Sequence, residues 1–159
     1  MSSAGLRTEL MGIRSRSLAS CALLLIGALY IVGIVSHGVV RHIVQTAPVW
    51  LTAVLALKRS AWSKWTALPC FLFWLFLMVL IWLFLLGWAH VVSGSFTPIE
   101  IAMTLVVGFS SIAGMVLAAR MKTEIRAISA SAAFLGILIL QLLAVRISLL
   151  PSIAYDRWR

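Results

Sequence analysis

The chain has 159 residues and a net charge of +9, yet 63% of its residues are hydrophobic and only 11% are charged. With a mean hydropathy of +1.11, it holds more apolar side chains than a soluble domain of this size can hide, because such domains carry about a quarter charged residues. The positive charge does not indicate nucleic acid. The 13 Lys and Arg fall in short clusters between apolar runs, as topology-setting loops do, and not on one contiguous phosphate-tracking face.

Residues 1–17 read as a short cytoplasmic leader. Its Arg and Ser content weakly suggests an organelle transit peptide, and Glu9 counts against that. Leu18-Ala19-Ser20-Cys21 has the residues of a lipoprotein cleavage box, but the apolar run follows the cysteine, whereas a signal peptide needs it before. Cys21 and Cys70 are too few and too far apart for a disulfide framework or a Cys-rich metal site.

Crossing a hydrocarbon core of about 30 Å takes about 20 apolar helical residues. The first predicted span is Ala19 to Ser36. The second, Val39 to Leu57, is long enough but carries Arg41, His42, Gln45 and Pro48, so an interfacial or re-entrant helix is the alternative. A third span covers Leu68 to Ala89, with Pro69 suited to its first turn. The fourth runs from Pro98 to Ala119 behind a capping box made by Thr97 and Glu100. The fifth, Ala127 to about Leu149, stops before Pro151 and leaves a tail over 150–159.

Charge counting arbitrates the second span. If it crosses, the basic clusters Arg7, Arg14, Arg16; Lys58, Arg59, Lys64; and Arg120, Lys122, Arg126 share one side, nine residues against four (Arg41, Arg146, Arg157, Arg159). If it does not, the better four-span arrangement splits seven against six. Short-loop Lys and Arg set orientation, so the reading is all-α: a polytopic integral membrane bundle of five spans with the N-terminus cytoplasmic, in a bacterial inner (plasma) membrane. The basic loops would hold anionic lipid headgroups. Trp62 and Trp65 suit an aromatic belt on the basic side, and Trp158 on the other.

Small residues let membrane helices approach closely. Thr104 and Gly108, then Ser110, Gly114 and Ala118, recur every four residues in the fourth span. Ser129, Ala133 and Gly136 open the fifth at matching depth. The expectation is an antiparallel hairpin of these two spans. In the third span Phe71, Trp74, Met78 and Trp82 form one stripe, read as packing and lipid contact more readily than as a platform for a quinone, haem or pigment.

Buried ionisable groups mark function in membranes, and here they are scarce. Glu9 and Asp156 lie in the tails, Glu124 in a basic loop, and Glu100 at a cap. No catalytic triad, zinc motif or phosphate loop is present, so an enzyme is not expected. In the five-span arrangement His37, Arg41, His42, Gln45, His90 and Glu100 gather near the outer boundary. They are candidates for a haem (paired His), a metal (His37, His42, His90, Glu100), or a quinone or lipid head (Arg41, His42, Gln45), against plain contact with water and headgroups. Gln141 is expected to hydrogen-bond across helices and Arg146 to snorkel. Pro48 frees a carbonyl in the second span. No cofactor or metal is assigned.

Function is therefore expected to be non-enzymatic: an accessory subunit or an assembly or regulatory factor working through helix contacts with a membrane-protein partner or a second copy. One alternative is a small homo-oligomeric transporter or channel lined by Gln45, Thr46 and Gln141. Another is a haem- or quinone-binding electron-transfer subunit.

Overall fold

The structure, a computed structural model, describes residues 3–88 and 96–154. Every described element is helical: α1 (Ser3–Val35), α2 (Val39–Leu57), α3 (Ser63–Leu85), α4 (Pro98–Ala119), α5 (Ala127–Ser148) and the single turn α6 (Pro151–Ala154). Five of them are long and apolar enough to cross a membrane. They include the disputed Val39–Leu57, which is one continuous helix of 19 residues with Pro48 inside it.

Around the bundle the order is α1, α2, α5, α3, α4, and α2 also meets α3 across the middle. The connections reverse the chain each time, so the ends of α1, α3 and α5 lie with the starts of α2 and α4. The three basic clusters consequently meet at the opposite end. Arg14 donates to the Arg120 carbonyl at 2.9 Å, Lys64 donates to the Met121 carbonyl at 2.9 Å, and a Cβ built at Gly12 would lie 3.5 Å from the Arg59 guanidinium.

Two helices start earlier than the apolar runs suggest. α1 continues back to Ser3, because nothing in the leader breaks a helix and its turn around Ser15 is docked. Ser15 Oγ donates to the Ala56 carbonyl at the end of α2. α3 begins at Ser63, which puts Pro69 in the second turn instead of the first. The missing N–H there leaves one early carbonyl without its helical partner, and the helix still forms because Pro69 is buried against its neighbours. α4 matches its expected span and capping box: Glu100 accepts from the Thr97 N–H at 2.7 Å and returns a backbone N–H to Thr97 Oγ1.

Chain reversals use left-handed residues. α1 ends with Gly38 N–H bonded to the Gly33 carbonyl at 2.8 Å while His37 takes φ +53. α2 ends the same way through Arg59, also at φ +53. The αL position is normally glycine's.

The expected pairing of α4 with α5 does not occur. α4 packs on α1 and α3, and α5 on α2 and α3, so α3 stands between them. Two causes are visible. The link over 121–126 is non-helical and crosses the start of α3, where Lys64 holds Met121 and Trp65 Nε1 donates to Thr123 Oγ1 at 3.2 Å. The small face of α4 is also filled from α3: a Cβ at Gly114 would overlap the Phe71 ring, beside buried Ser110 and Ala118. Gly108 has open space beside it. On α5 the buried face is Ala130, Ile137, Gln141, Ala144 and Ser148. Ser129 and Gly136 are exposed and Ala133 is half-buried, so these three residues serve no internal contact of the expected kind.

Candidate functional site

The four-sided arrangement of α1, α2, α3 and α4 encloses a space, because α1 meets α2 and α4, α3 meets α2 and α4, and neither diagonal α1–α3 nor α2–α4 closes as a full interface. Toward the end that holds the α1–α2 turn this space widens into a cavity of about 280 Å³. Four of the polar candidates for the outer boundary line it: Arg41, His42 and Gln45 from the first turns of α2, and Glu100 from the first turn of α4. Spacing accounts for this. Arg41 and Gln45 are four residues apart, slightly more than one helical turn, with His42 beside Arg41, so the three share a face.

The other candidates are elsewhere. His37, at φ +53, is exposed in the turn and does not line the cavity. A haem or metal held jointly by His37 and His42 is therefore not assembled. His90 lies outside the described residues, as do Asp156, Arg157, Trp158 and Arg159. Among the described residues no group of three or more His, Cys, Asp or Glu stands close enough to hold a metal ion.

Polar groups inside the bundle fall into two sets. The first is hydrogen-bonded within the chain. Gln45 Nε2 donates to Ser148 Oγ at 2.9 Å, and Gln141 Nε2 donates to the Gln45 carbonyl at 2.9 Å. Thr46 Oγ1 returns a bond to the His42 carbonyl at 2.9 Å. Gln141 and Thr46 are both fully buried, so the α2–α5 seam is polar, with Gln141 Oε1 left unpaired inside it. Gln141 accordingly makes the cross-helix bond expected of it, and Arg146 is exposed near the end of α5. On α3 and α4, Trp82 Nε1 donates to Thr104 Oγ1 at 3.1 Å.

The second set has no partner. Both ring nitrogens of His42, Arg41 Nε and Trp74 Nε1 are buried without a hydrogen bond, and all three residues line the cavity. Glu100 brings the one carboxylate among the lining residues, and its Oε2 already accepts from the Thr97 N–H and hydroxyl. His42 is fixed from behind by Gly33, where a Cβ would come within 2.9 Å of its ring. That contact lets α2 fold closely against α1 and sets the ring's position.

Apart from Thr104, whose hydroxyl is bonded to Trp82 Nε1 and the Ile101 carbonyl, the remaining walls are apolar: Leu29 and Val32 from α1, Leu77, Met78 and Ile81 from α3, Phe96, and Met103 and Val107 from α4. An enclosed apolar space with a few convergent polar groups is the usual form of a small-molecule site. Trp74, Met78 and Phe71 of the aromatic stripe are core residues, and Trp74 also presents its indole N–H here. Sequence reasoning placed Trp74 on the stripe without recognising it as a donor. It missed Met103 and Ser148 altogether, since neither residue type nor spacing distinguishes them. No family model matches the chain, and neither does any curated protein or solved structure.

Proposed function

We propose that this chain is a polytopic integral membrane protein of non-enzymatic type that acts through helix contacts, as an accessory subunit or an assembly or regulatory factor. Its N-terminus and three basic clusters are taken to face the cytoplasm, in a bacterial inner membrane, with those clusters against anionic headgroups.

The observation that carries this reading is the outer face of α5. Ser129 and Gly136 are exposed and Ala133 half-buried, with open space at Gly136. These small residues could admit a neighbouring helix closely, and close backbone approach is what drives helix association in lipid. The partner assigned to that face is a transmembrane helix of another membrane protein. The channel alternative draws less support. Gln45 and Gln141, which would line its pathway, bond across the α2–α5 seam, and Thr46 bonds back to the His42 carbonyl of its own helix, all inside a single chain.

A photo-crosslinking residue at Ser129 or Gly136 tests the proposal in native membranes. The expected product is a species heavier than the monomer and different from the dimer, with no such product from the same probe at exposed Phe109 of α4. Monomer alone from both α5 positions, together with solute transport by the purified monomer in vesicles, would remove the reading.

A further inference from the structure

The cavity among α1, α2, α3 and α4 gathers unpartnered buried groups from three residues around one space, whereas Ser63 Oγ, Ser111 Oγ and Gln141 Oε1 are unpartnered away from it. His42 is 6% exposed and Trp74 3%, and the His42 ring nitrogens, Trp74 Nε1 and Arg41 Nε have no partner. A buried donor without an acceptor carries its full desolvation cost. Several such donors around one void therefore define a place for oxygen atoms from outside the chain. The guanidinium of Arg41 is permanently charged, and one oxygen of Glu100, Oε2, is engaged by Thr97. The head that fits best is thus anionic, since carboxylate and phosphate oxygens make the strong, charge-assisted bonds that Arg offers. Beyond this polar end the walls are apolar, which favours hydrocarbon over a cluster of water.

A second apolar space lies next to the cavity. On the outer side of the α1–α4 seam an apolar groove of about 510 Å³ runs over Leu24, Gly27 and Ile31 of α1 and Val106 of α4. Met103 borders both the cavity and this groove, and an unbranched thioether turns aside at little cost. Gly27 keeps the groove open, since a Cβ there meets nothing within 4 Å.

We propose that this is a binding site for a single-tailed amphiphile with an anionic oxygen head. The head is held by Arg41, His42 and Trp74 in the cavity, and the tail passes Met103 into the α1–α4 groove. The site is separate from the α5 face, and neither proposal depends on the other. Native mass spectrometry of the full chain in a non-ionic detergent tests it, with palmitate, hexadecyl phosphate and hexadecanol titrated separately. At least one of the two anions is expected to bind, one per chain, at least about tenfold more tightly than the alcohol. Binding of palmitate alone identifies an acyl carboxylate as the head, and binding of hexadecyl phosphate alone identifies a phosphate. Arg41→Gln and Gly27→Phe should each weaken binding at least about tenfold, with the melting curve of Gly27→Phe unchanged. If Arg41→Gln does not fold, the alcohol control and Gly27→Phe decide. Equal binding of the alcohol, no adduct with either anion, or adducts indifferent to the variants would overturn the proposal.

Discussion

A methyl group added at Gly114 would run into the Phe71 ring, whereas one added at Gly136 would meet nothing within 4 Å. The same substitution therefore separates packing from free surface. Gly114→Ala should lower stability by about 1–3 kcal/mol, the range for overfilling a packed contact, and pairing it with Phe71→Leu should restore part of the loss. Gly136→Ala should not lower the monomer's melting temperature and should raise it slightly, since Ala suits a helix interior better than Gly by about 0.5–1 kcal/mol. Thermal melts in detergent measure both. His37 offers a different residue-scale test. Because it holds φ +53 at the end of α1, His37→Gly relieves a strained backbone and should stabilise the fold by up to about 1 kcal/mol. The sequence marked Gly114 as a contact residue through its spacing from Ser110 and Ala118. It could not say what filled the contact, because a small residue specifies a close approach without specifying the neighbour.

At the scale of elements, the helices were legible and their partners were not. Long apolar runs broken by basic turns fix where helices can lie, and Thr97, Pro98 and Glu100 fix where α4 begins. The early starts of α1 and α3 were hidden because neither leader nor loop is apolar. Their helicity follows from contacts at a distance in sequence, Ser15 with Ala56 and Lys64 with Met121. Partner choice depended on the link over 121–126, whose residues show no path until Trp65 and Lys64 are seen to hold it over α3. Replacing both, Lys64→Ala with Trp65→Phe, should free this link. Trypsin should then cut at Lys122 and Arg126 faster than in the parent chain, while the helix content stays the same. The α2–α5 seam gives a second test. Gln141→Leu removes the bond to the Gln45 carbonyl and should cost about 0.6 kcal/mol, with an upper bound near 1.7 kcal/mol, as cross-helix hydrogen bonds do in membranes. A stability loss well above that range would mean the seam holds more than this one bond.

For the whole molecule, the arithmetic of the basic clusters and the course of α2 agree. A continuous helix over Val39–Leu57 brings Arg14, Arg59, Lys64 and Arg120 to one end of the bundle. The polar candidates Arg41, His42, Gln45 and Glu100 come to the other end, where they border one cavity. That much of the site was legible, because a shared helix face and a common depth follow from spacing and span count. The enclosure was not, since it arises from two diagonals that do not close. On a background with Cys21 and Cys70 changed to Ala, single cysteines at Ser60 and Thr123 should label from the cytoplasmic side and one at His37 from the opposite side. Labelling of Ser60 and His37 from the same side would break the five-span arrangement.

The crossing of the 121–126 link over the start of α3 also bears on how the molecule is assembled. Since α5 rests on α2 and α3 and has no large interface with α4, its immediate predecessor, the first four helices can come together before the fifth is made. On that order α5 would be added as an insert, with Gln141 and Ser148 meeting Gln45. A chain severed between Lys122 and Arg126 and produced as two polypeptides should accordingly recombine in the membrane and co-purify. Two halves that never associate would show that α5 depends on covalent attachment to find its place.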